Sequence, residues 1–220
     1  MIHQDNFPDD NIPLENLFPD VPRGTFQTLR QYAKLVWDWN HQINLTGAKS
    51  LSEFYSRHII DCLASRGVLS LATYWMDIGS GSGLPGIVWA ALEPSKYFLL
   101  VESLQKKVSF LHRAKSLLSL DQIKIESRRL EDIPLEALPS GESWAFVSRG
   151  TAAPPEMLRL AQTTPLPWKQ WFIFSTKKTH AEFLTLTEKF GMKAGVFHYQ
   201  IPSLSGPGQE GILTILERKG

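Results

Sequence analysis

The apolar positions of this chain follow two regimes. From Thr25 to Asn40, Phe26, Leu29, Ala33, Val36 and Trp37 recur at helical spacing, which predicts an amphipathic helix. A second helix is predicted over Ser52–Leu63, where Arg57, His58 and Asp61 lie three and four apart and share one face. The stretch between them, "NHQINLTGAKS", is polar and reads as a loop. From Leu69 the pattern changes to short apolar runs alternating with helical segments. Strands are expected at Leu69–Met76, Tyr97–Val101, Ile123–Glu126 and Trp144–Ser148, with helices at Leu84–Leu92, Lys106–Leu118 and Glu156–Gln162. A strand at Trp171–Ser175, a helix at Ala181–Phe190 and two strands around Gly195–Tyr199 and Gly211–Glu217 complete the series. This alternation predicts an α/β fold with a mainly parallel seven-stranded sheet, closed by a C-terminal antiparallel hairpin and preceded by an N-terminal helical extension. Three regions follow: an irregular acidic arm over 1–24, rich in proline, a helical segment over 25–66, and an α/β domain over 67–220.

Composition and charge add exclusions more than direction. The longest apolar stretch, Ile87–Leu92, is far too short to span a bilayer. The first twenty residues show no basic region followed by an apolar run, so a secretory signal is not expected. One cysteine, Cys62, permits neither an internal disulfide nor a cysteine-based metal cluster, and no metal site is expected. We expect a cytoplasmic monomer with no membrane partner. Residues 1–22 hold five acids and no Lys or Arg, so the remainder carries a net charge of +6 against +1 for the whole chain. That balance suits a nucleic-acid partner and suits an ordinary solvated surface equally well.

The candidate chemistry lies in "MDIGSGSGLPG", Met76–Gly86, directly behind the first predicted strand. A glycine-rich turn between a strand and a helix lets backbone approach a nucleotide closely. Gly81–Gly86 matches the G-x-G-x-x-G pattern of a dinucleotide site, but Asp77 would repel a pyrophosphate and Pro85 removes one N–H near the helix start. S-adenosylmethionine has no phosphate: its ammonium and sulfonium could be met by Asp77, and its carboxylate by loop N–H groups around Gly79, Gly81 and Gly83. Glu102, nineteen positions beyond Gly83 at the tip of the second strand, is placed for ribose hydroxyls, a feature that serves either nucleotide. Together these residues indicate a class I, Rossmann-like methyltransferase domain over 67–220; the competing readings are a methyltransferase acting on another RNA or a small molecule and a NAD-dependent oxidoreductase.

Several separated stretches agree with one family. "NLTG" at Asn44–Gly47, "RHIIDCL" at Arg57–Leu63, "MDIGSGSGLPG", "KKVSFL" at Lys106–Leu111, "SRRLEDIP" at Ser127–Pro134 and "VSRG" at Val147–Gly150 occur in that order. Across roughly residues 25–190 the chain resembles the bacterial ribosomal RNA small-subunit methyltransferase G family, also called glucose-inhibited division protein B. The resemblance implies S-adenosylmethionine as cofactor and N7 of a guanosine in the 530 loop of 16S rRNA as substrate, met as rRNA, as the 30S subunit or as an assembly particle. It implies cofactor contacts at Gly79, Leu84, Leu130, Glu131 and Arg149, with Glu131 and its neighbours near the adenine edge. Arg149 also stands as a substrate-positioning group that bonds guanine O6, or as a structural partner of Asp77 or Glu102.

Candidate RNA contacts are Asn44, Arg57, His58, Lys177 and Lys178, with further positive charge at Arg30, Lys49, Lys106, Lys107, Arg128 and Arg129. Some of these have a plainer alternative. Asn44 and Thr46 would fix their loop, His58 would bond Asp61 or a backbone carbonyl, and Lys106–Lys107 would be solvated. The chain departs from the family pattern where Gly150 follows Ser-Arg, in "TTPLPWKQW" before the fifth strand, and at Lys177–Lys178 after it.

Overall fold

The computed structural model describes residues 12–139, 143–203 and 206–219. Residues 1–11 of the acidic arm lie outside the described ones. The remainder of that arm is more ordered than its prolines imply. It forms one helical turn, α1 (Leu14–Leu17), and buries Ile12, Leu14, Phe18 and Val21. Glu15 and Asp20 tie it down through Arg30 (2.9 Å) and Arg66 (2.6 Å).

Helix α2 (Arg23–Ile43) starts behind Pro22, which needs no N–H there, and ends at Asn44 in the left-handed region. The Asn40 side-chain oxygen accepts the N–H groups of Leu45 (2.7 Å) and Thr46 (2.8 Å), which stops the helix and shapes the NLTG loop. Helix α3 (Leu51–Phe54) is capped by the Ser50 side chain, which accepts the Glu53 N–H. It runs through a π-helical turn at Tyr55–Ile59 into α4 (Ile60–Ala64). Residues 65–71, of which the last three were expected to begin a strand, wind instead as a 3-10 helix (Ser65–Leu71) that buries Val68 and Leu69. The first strand therefore starts later.

The sheet has seven strands in the order β3-β2-β1-β4-β5-β7-β6. They are β1 (Tyr74–Ile78), β2 (Tyr97–Val101), β3 (Ile123–Glu126), β4 (Trp144–Arg149), β5 (Trp168–Ser175), β6 (Met192–Ile201) and β7 (Gln209–Arg218). The first five are mutually parallel, and the antiparallel hairpin inserts β7 against β5 and leaves β6 at the edge. The connecting helices are α5 (Gly86–Leu92), α6 (Gln105–Leu117), α7 (Pro154–Thr163) and α8 (Lys177–Leu186). The expected fold is observed, with shifts of a few residues at element ends.

Strand alternation divides the core in two. Trp75, Phe98, Leu100, Ala145, Val147 and Phe172 pack on the face covered by α2, α4, α5 and α6. Met76, Ile78, Leu99, Trp144, Phe146 and Trp171 pack on the opposite face under α7 and α8. The helical N-terminal segment thus shares a core with the sheet. Two hydrogen bonds join it to the parts that carry the glycine turn: Tyr32 Oη donates to the Ser82 carbonyl (2.7 Å), and Trp89 Nε1 donates to the Cys62 carbonyl (3.0 Å). The order of strands reverses between β1 and β4, so a crevice opens at their carboxyl ends.

Gly86, the first residue of α5, sits against β1 and β2. A Cβ there would stand 2.2 Å from Leu100 Cδ2 and 2.8 Å from Asp77 Oδ2. Gly86→Ala is expected to destabilise the protein by about 1–3 kcal/mol, the usual cost of overpacking. Chemical denaturation of both proteins measures it, and equal midpoints would contradict this packing.

Candidate active site

At the carboxyl end of β1 the chain turns through Gly79, Gly81 and Gly83, all with positive φ. Two of these positions leave no alternative to glycine. A Cβ at Gly79 would lie 2.5 Å from Thr151 Cγ2, and one at Gly83 would lie 2.4 Å from Ile87 Cδ1. The turn is held from within. Gly79 and Ser80 donate their N–H groups to the Val101 carbonyl (2.9 and 3.0 Å), Gly83 and Leu84 donate theirs to Ser80. Gly81 donates to Glu102 Oε2 (3.0 Å) and Gly86 to Asp77 Oδ2 (2.9 Å). These amides are spent on the protein itself, so they form no open cradle for a pyrophosphate. Neither are they free for the carboxylate of an amino-acid tail, as the sequence reading had them.

Asp77 is placed differently from its expectation. Period-two alternation puts it with Trp75 on the helix-covered face, where it is fully buried and lines neither of the cavities described below. It holds the start of α5. Burial pushes its carboxyl up to about 7, opposed by the Gly86 N–H and reinforced by the nearby Glu102 charge. Its second oxygen, Oδ1, has no hydrogen-bond partner. Gly83 and Leu84 also stand behind the turn, packed in the core, rather than on a cavity wall.

Two cavities open at the switch point. The smaller, about 420 Å³, is lined by Gly79, Glu102, Leu104, Leu130, Glu131 and Thr151, with Lys107, Arg128 and Arg129 at its mouth. Glu102 is buried at the tip of β2 and accepts the N–H groups of Gly81 and Leu104 (2.9 Å). The larger, about 640 Å³, is lined by Asp61, Arg149, Phe174, Thr176 and Tyr199, among others. Gly150, Thr151 and Ala152 belong to both walls, so the cavities are neighbours across the loop after β4.

Arg149 lines the larger cavity and is absent from the smaller one. Its partner is neither Asp77 nor Glu102 but Asp61, on α4. The same guanidinium donates to the Arg57 carbonyl (2.8 Å) and lies 3.3 Å from His58 Nδ1, with the Phe174 ring beneath it at 4.8 Å. Tyr199 on β6 donates its hydroxyl to the other Asp61 oxygen (2.6 Å). His58 is neutral, its pKa lowered to about 4 by burial and by the Arg149 and Arg57 charges. A guanidinium has no acceptor, so Nδ1 must be the bare nitrogen and Nε2 carries the proton toward Thr46 Oγ1, 3.3 Å away. His58 is thus a half-buried strut between Arg149 and the NLTG loop.

The other proposed RNA residues lie on three separate elements. Asn44 is exposed at the end of α2, and Arg57 is exposed and paired with Glu53 (2.7 Å). Lys177 and Lys178 are exposed at the start of α8, where Lys177 pairs with Glu210 (3.2 Å) on the rim of the larger cavity. Tyr199 and Thr151 went unnoticed in the sequence. Thr151 donates to the Ile78 carbonyl (2.8 Å) and fills the space against Gly79, and nothing in local spacing marks either residue. Among the described residues no group of acids, histidines and cysteines could hold a metal ion, and no helix is long and apolar enough to cross a membrane.

The family model for rRNA small subunit methyltransferase G matches residues 25–212. Curated relatives carry the name ribosomal RNA small subunit methyltransferase G. One from Hydrogenovibrio crunogenus is 32% identical over 176 residues, 80% of this chain and 79% of that protein. One from Brachyspira hyodysenteriae is 45% identical over 100 residues, 46% of this chain and about half, 49%, of that protein. Among solved structures, the O-methyltransferase TomG from Streptomyces achromogenes, in complex with SAM, covers both chains fully at a TM-score of 0.56 and 16% identity. A precorrin-6y C5,15-methyltransferase from Geobacter metallireducens covers 82% of this chain and 96% of its own at 0.52 and 13%. The fold is therefore the class I methyltransferase fold.

The buried Asp77 carboxyl makes stability depend on pH with a definite sign. An unfolded aspartate ionises near 3.9, whereas the folded one holds its proton to about 7. Its contribution is fully present below about 4 and is lost as pH rises toward 7. Asp77→Asn, which keeps an acceptor for Gly86, removes that loss. The variant's Tm relative to wild type is expected to rise between pH 4 and 8, by an amount on the order of a few kcal/mol in stability. A Tm difference independent of pH would sink the assignment.

Proposed function

The chain belongs to the rRNA small subunit methyltransferase G family, and we propose that it methylates N7 of a guanosine in the 530 loop of 16S rRNA, with S-adenosylmethionine as donor. The family supports the rRNA substrate. The observation that supports this cofactor over a dinucleotide is the internally satisfied glycine turn: a pyrophosphate would need those amides, and they are already bonded within the protein.

The residues present fit the cofactor. The smaller cavity's volume of about 420 Å³ lies within the roughly 300–1,000 Å³ of small-ligand sites. Glu102 uses two of about four acceptor positions on the turn and on Leu104, which leaves two for ribose hydroxyls. The absence of a side chain at Gly79 lets Thr151 pack directly against the turn, and both residues line the cavity wall. Leu130, buried, and Glu131, exposed, flank the far end of the cavity, one apolar surface and one acceptor for an adenine. When bound, S-adenosylmethionine supplies an electrophilic methyl group.

Guanine N7 carries its lone pair in the neutral base, so the protein needs no general base. Its task is to align an unpaired purine in the larger cavity with N7 toward the shared wall Gly150–Ala152. Alignment of this kind is worth up to roughly 7–11 kcal/mol. Arg149, held on three sides, donates to O6 without having to reorganise, and it lines the larger cavity. The substrate, rRNA or a 30S particle, meets the enzyme in the cytoplasm.

Mapping N7-methylguanosine in 16S rRNA from cells with and without the gene tests the reaction. Loss of one modified position on deletion is expected, and an unchanged map overturns the proposal. For the cofactor, S-adenosylhomocysteine is expected to raise Tm and NAD to leave it unchanged; stabilisation by NAD alone would overturn the choice. Glu102→Ala is expected to weaken S-adenosylhomocysteine binding about tenfold or more, the scale of a lost charged hydrogen bond. Equal affinity by calorimetry removes Glu102 from the site.

A further inference from the structure

We propose that Asp61 reads the target base: its carboxylate accepts the N1–H and N2–H of guanine while the paired Arg149 guanidinium donates to O6. This rests on the guanosine-N7 reading above and assigns a chemical role to the RHI-x-D segment, which that reading leaves unexplained.

The three residues that give that segment its character all converge on one guanidinium. Arg57 contributes its carbonyl, His58 its bare Nδ1, and Asp61 its carboxylate. The π-helical turn at Tyr55–Ile59, followed directly by α4, brings these groups to Arg149 together. Arg149 has five N–H groups, of which three are engaged there, so donors remain for a ligand. Asp61 accepts one bond on each oxygen, from Arg149 and from Tyr199, and two acceptor positions remain. The two side chains are only 18% and 13% exposed, yet both line the larger cavity. A base entering there meets a desolvated donor directly beside a desolvated acceptor.

The order of groups along the wall matches one purine. The wall shared with the cofactor cavity, Gly150–Ala152, comes first, then Arg149 next to it in the chain, then Asp61 bonded to Arg149. Reading round guanine from the methylated atom gives N7, then the O6 acceptor, then the N1–H and N2–H donors. Adenine offers an amino donor where Arg149 stands and a bare N1 where Asp61 stands, so both contacts become repulsive or unpaired. A second acid on this cavity, Glu210, is 37% exposed and already paired with Lys177 and His198 on the rim. It is a weaker reader than the buried Asp61. His58 and Thr46 act behind the pair, as positioning residues.

Removal of the guanine 2-amino group isolates the contact. 30S particles are assembled on ligated 16S rRNA with guanosine or inosine at the mapped target, and kcat/KM is measured for wild type and Asp61→Asn. Wild type is expected to lose roughly 10- to 100-fold on inosine, the discrimination typical of a bidentate base contact. Asp61→Asn is expected to be slow on guanosine and nearly indifferent, within about twofold, to the change to inosine. A residue that merely supported Arg149 would leave the inosine penalty unchanged in the variant, and that result overturns the proposal. The wild-type comparison needs no variant to fold, and an absent penalty there overturns it as well. Tyr199→Phe keeps the reading carboxylate and is expected to keep the inosine penalty; its disappearance would assign the reading elsewhere. Failure of wild type on guanosine itself refutes the parent function, a result distinct from failure of the inosine comparison.

Discussion

Two carboxylates clamp the turn on which the site is built. Asp77, from β1, takes the amide that begins α5, and Glu102, from β2, takes the amide of Gly81. A turn with three positive-φ glycines has little intrinsic reason to hold one shape, since glycine loses the most conformational freedom on folding. The clamps supply that reason. They also use up the amides that would recognise a phosphate, so the element that gives the turn its form narrows what it binds. Asp77 does this at a cost: its carboxyl is buried with one oxygen unpartnered and titrates near neutrality.

A second convergence organises the neighbouring cavity. Arg149 ends a central strand, Asp61 belongs to the N-terminal helices, and Tyr199 belongs to the edge strand of the C-terminal hairpin. Three distant parts of the chain therefore meet in one hydrogen-bonded chain that extends through His58 to the NLTG loop. A desolvated ion pair of this kind contributes little net stability, because desolvation offsets most of the attraction. Its value lies in fixed direction. The guanidinium is held from three sides, and both members line the larger cavity. The helical segment thus forms one wall of the larger cavity as well as packing on the sheet.

The element order, the parallel sheet and its closing hairpin were legible because hydrophobic period changes sharply after the N-terminal helices. The glycine turn was legible because its composition has few other uses, and the position of Glu102 on a cavity wall because strand tips at switch points border the crevice. Where the reading went astray, the cause was orientation. Asp77 was expected to face the ligand, but its strand parity sends it inward with Trp75. His58 was expected at a surface, but the π-helical turn carries it against Phe54 and Arg149. The acidic arm looked irregular, yet Leu14 and Phe18 are buried.

The sequence by itself determined the order of the main helices and strands, where the backbone must be glycine, and, through its separated motifs, which family the chain joins. Those properties depend on local periodicity and on steric limits that act within a few residues. Only the tertiary structure decided which charge meets which. Asp61 and Arg149 are 88 residues apart, and Asp61 and Tyr199 are 138 apart. No local rule pairs them, since a carboxylate accepts any donor that packing brings within reach. The partners were chosen by the order of strands in the sheet and by the face on which the N-terminal helices pack.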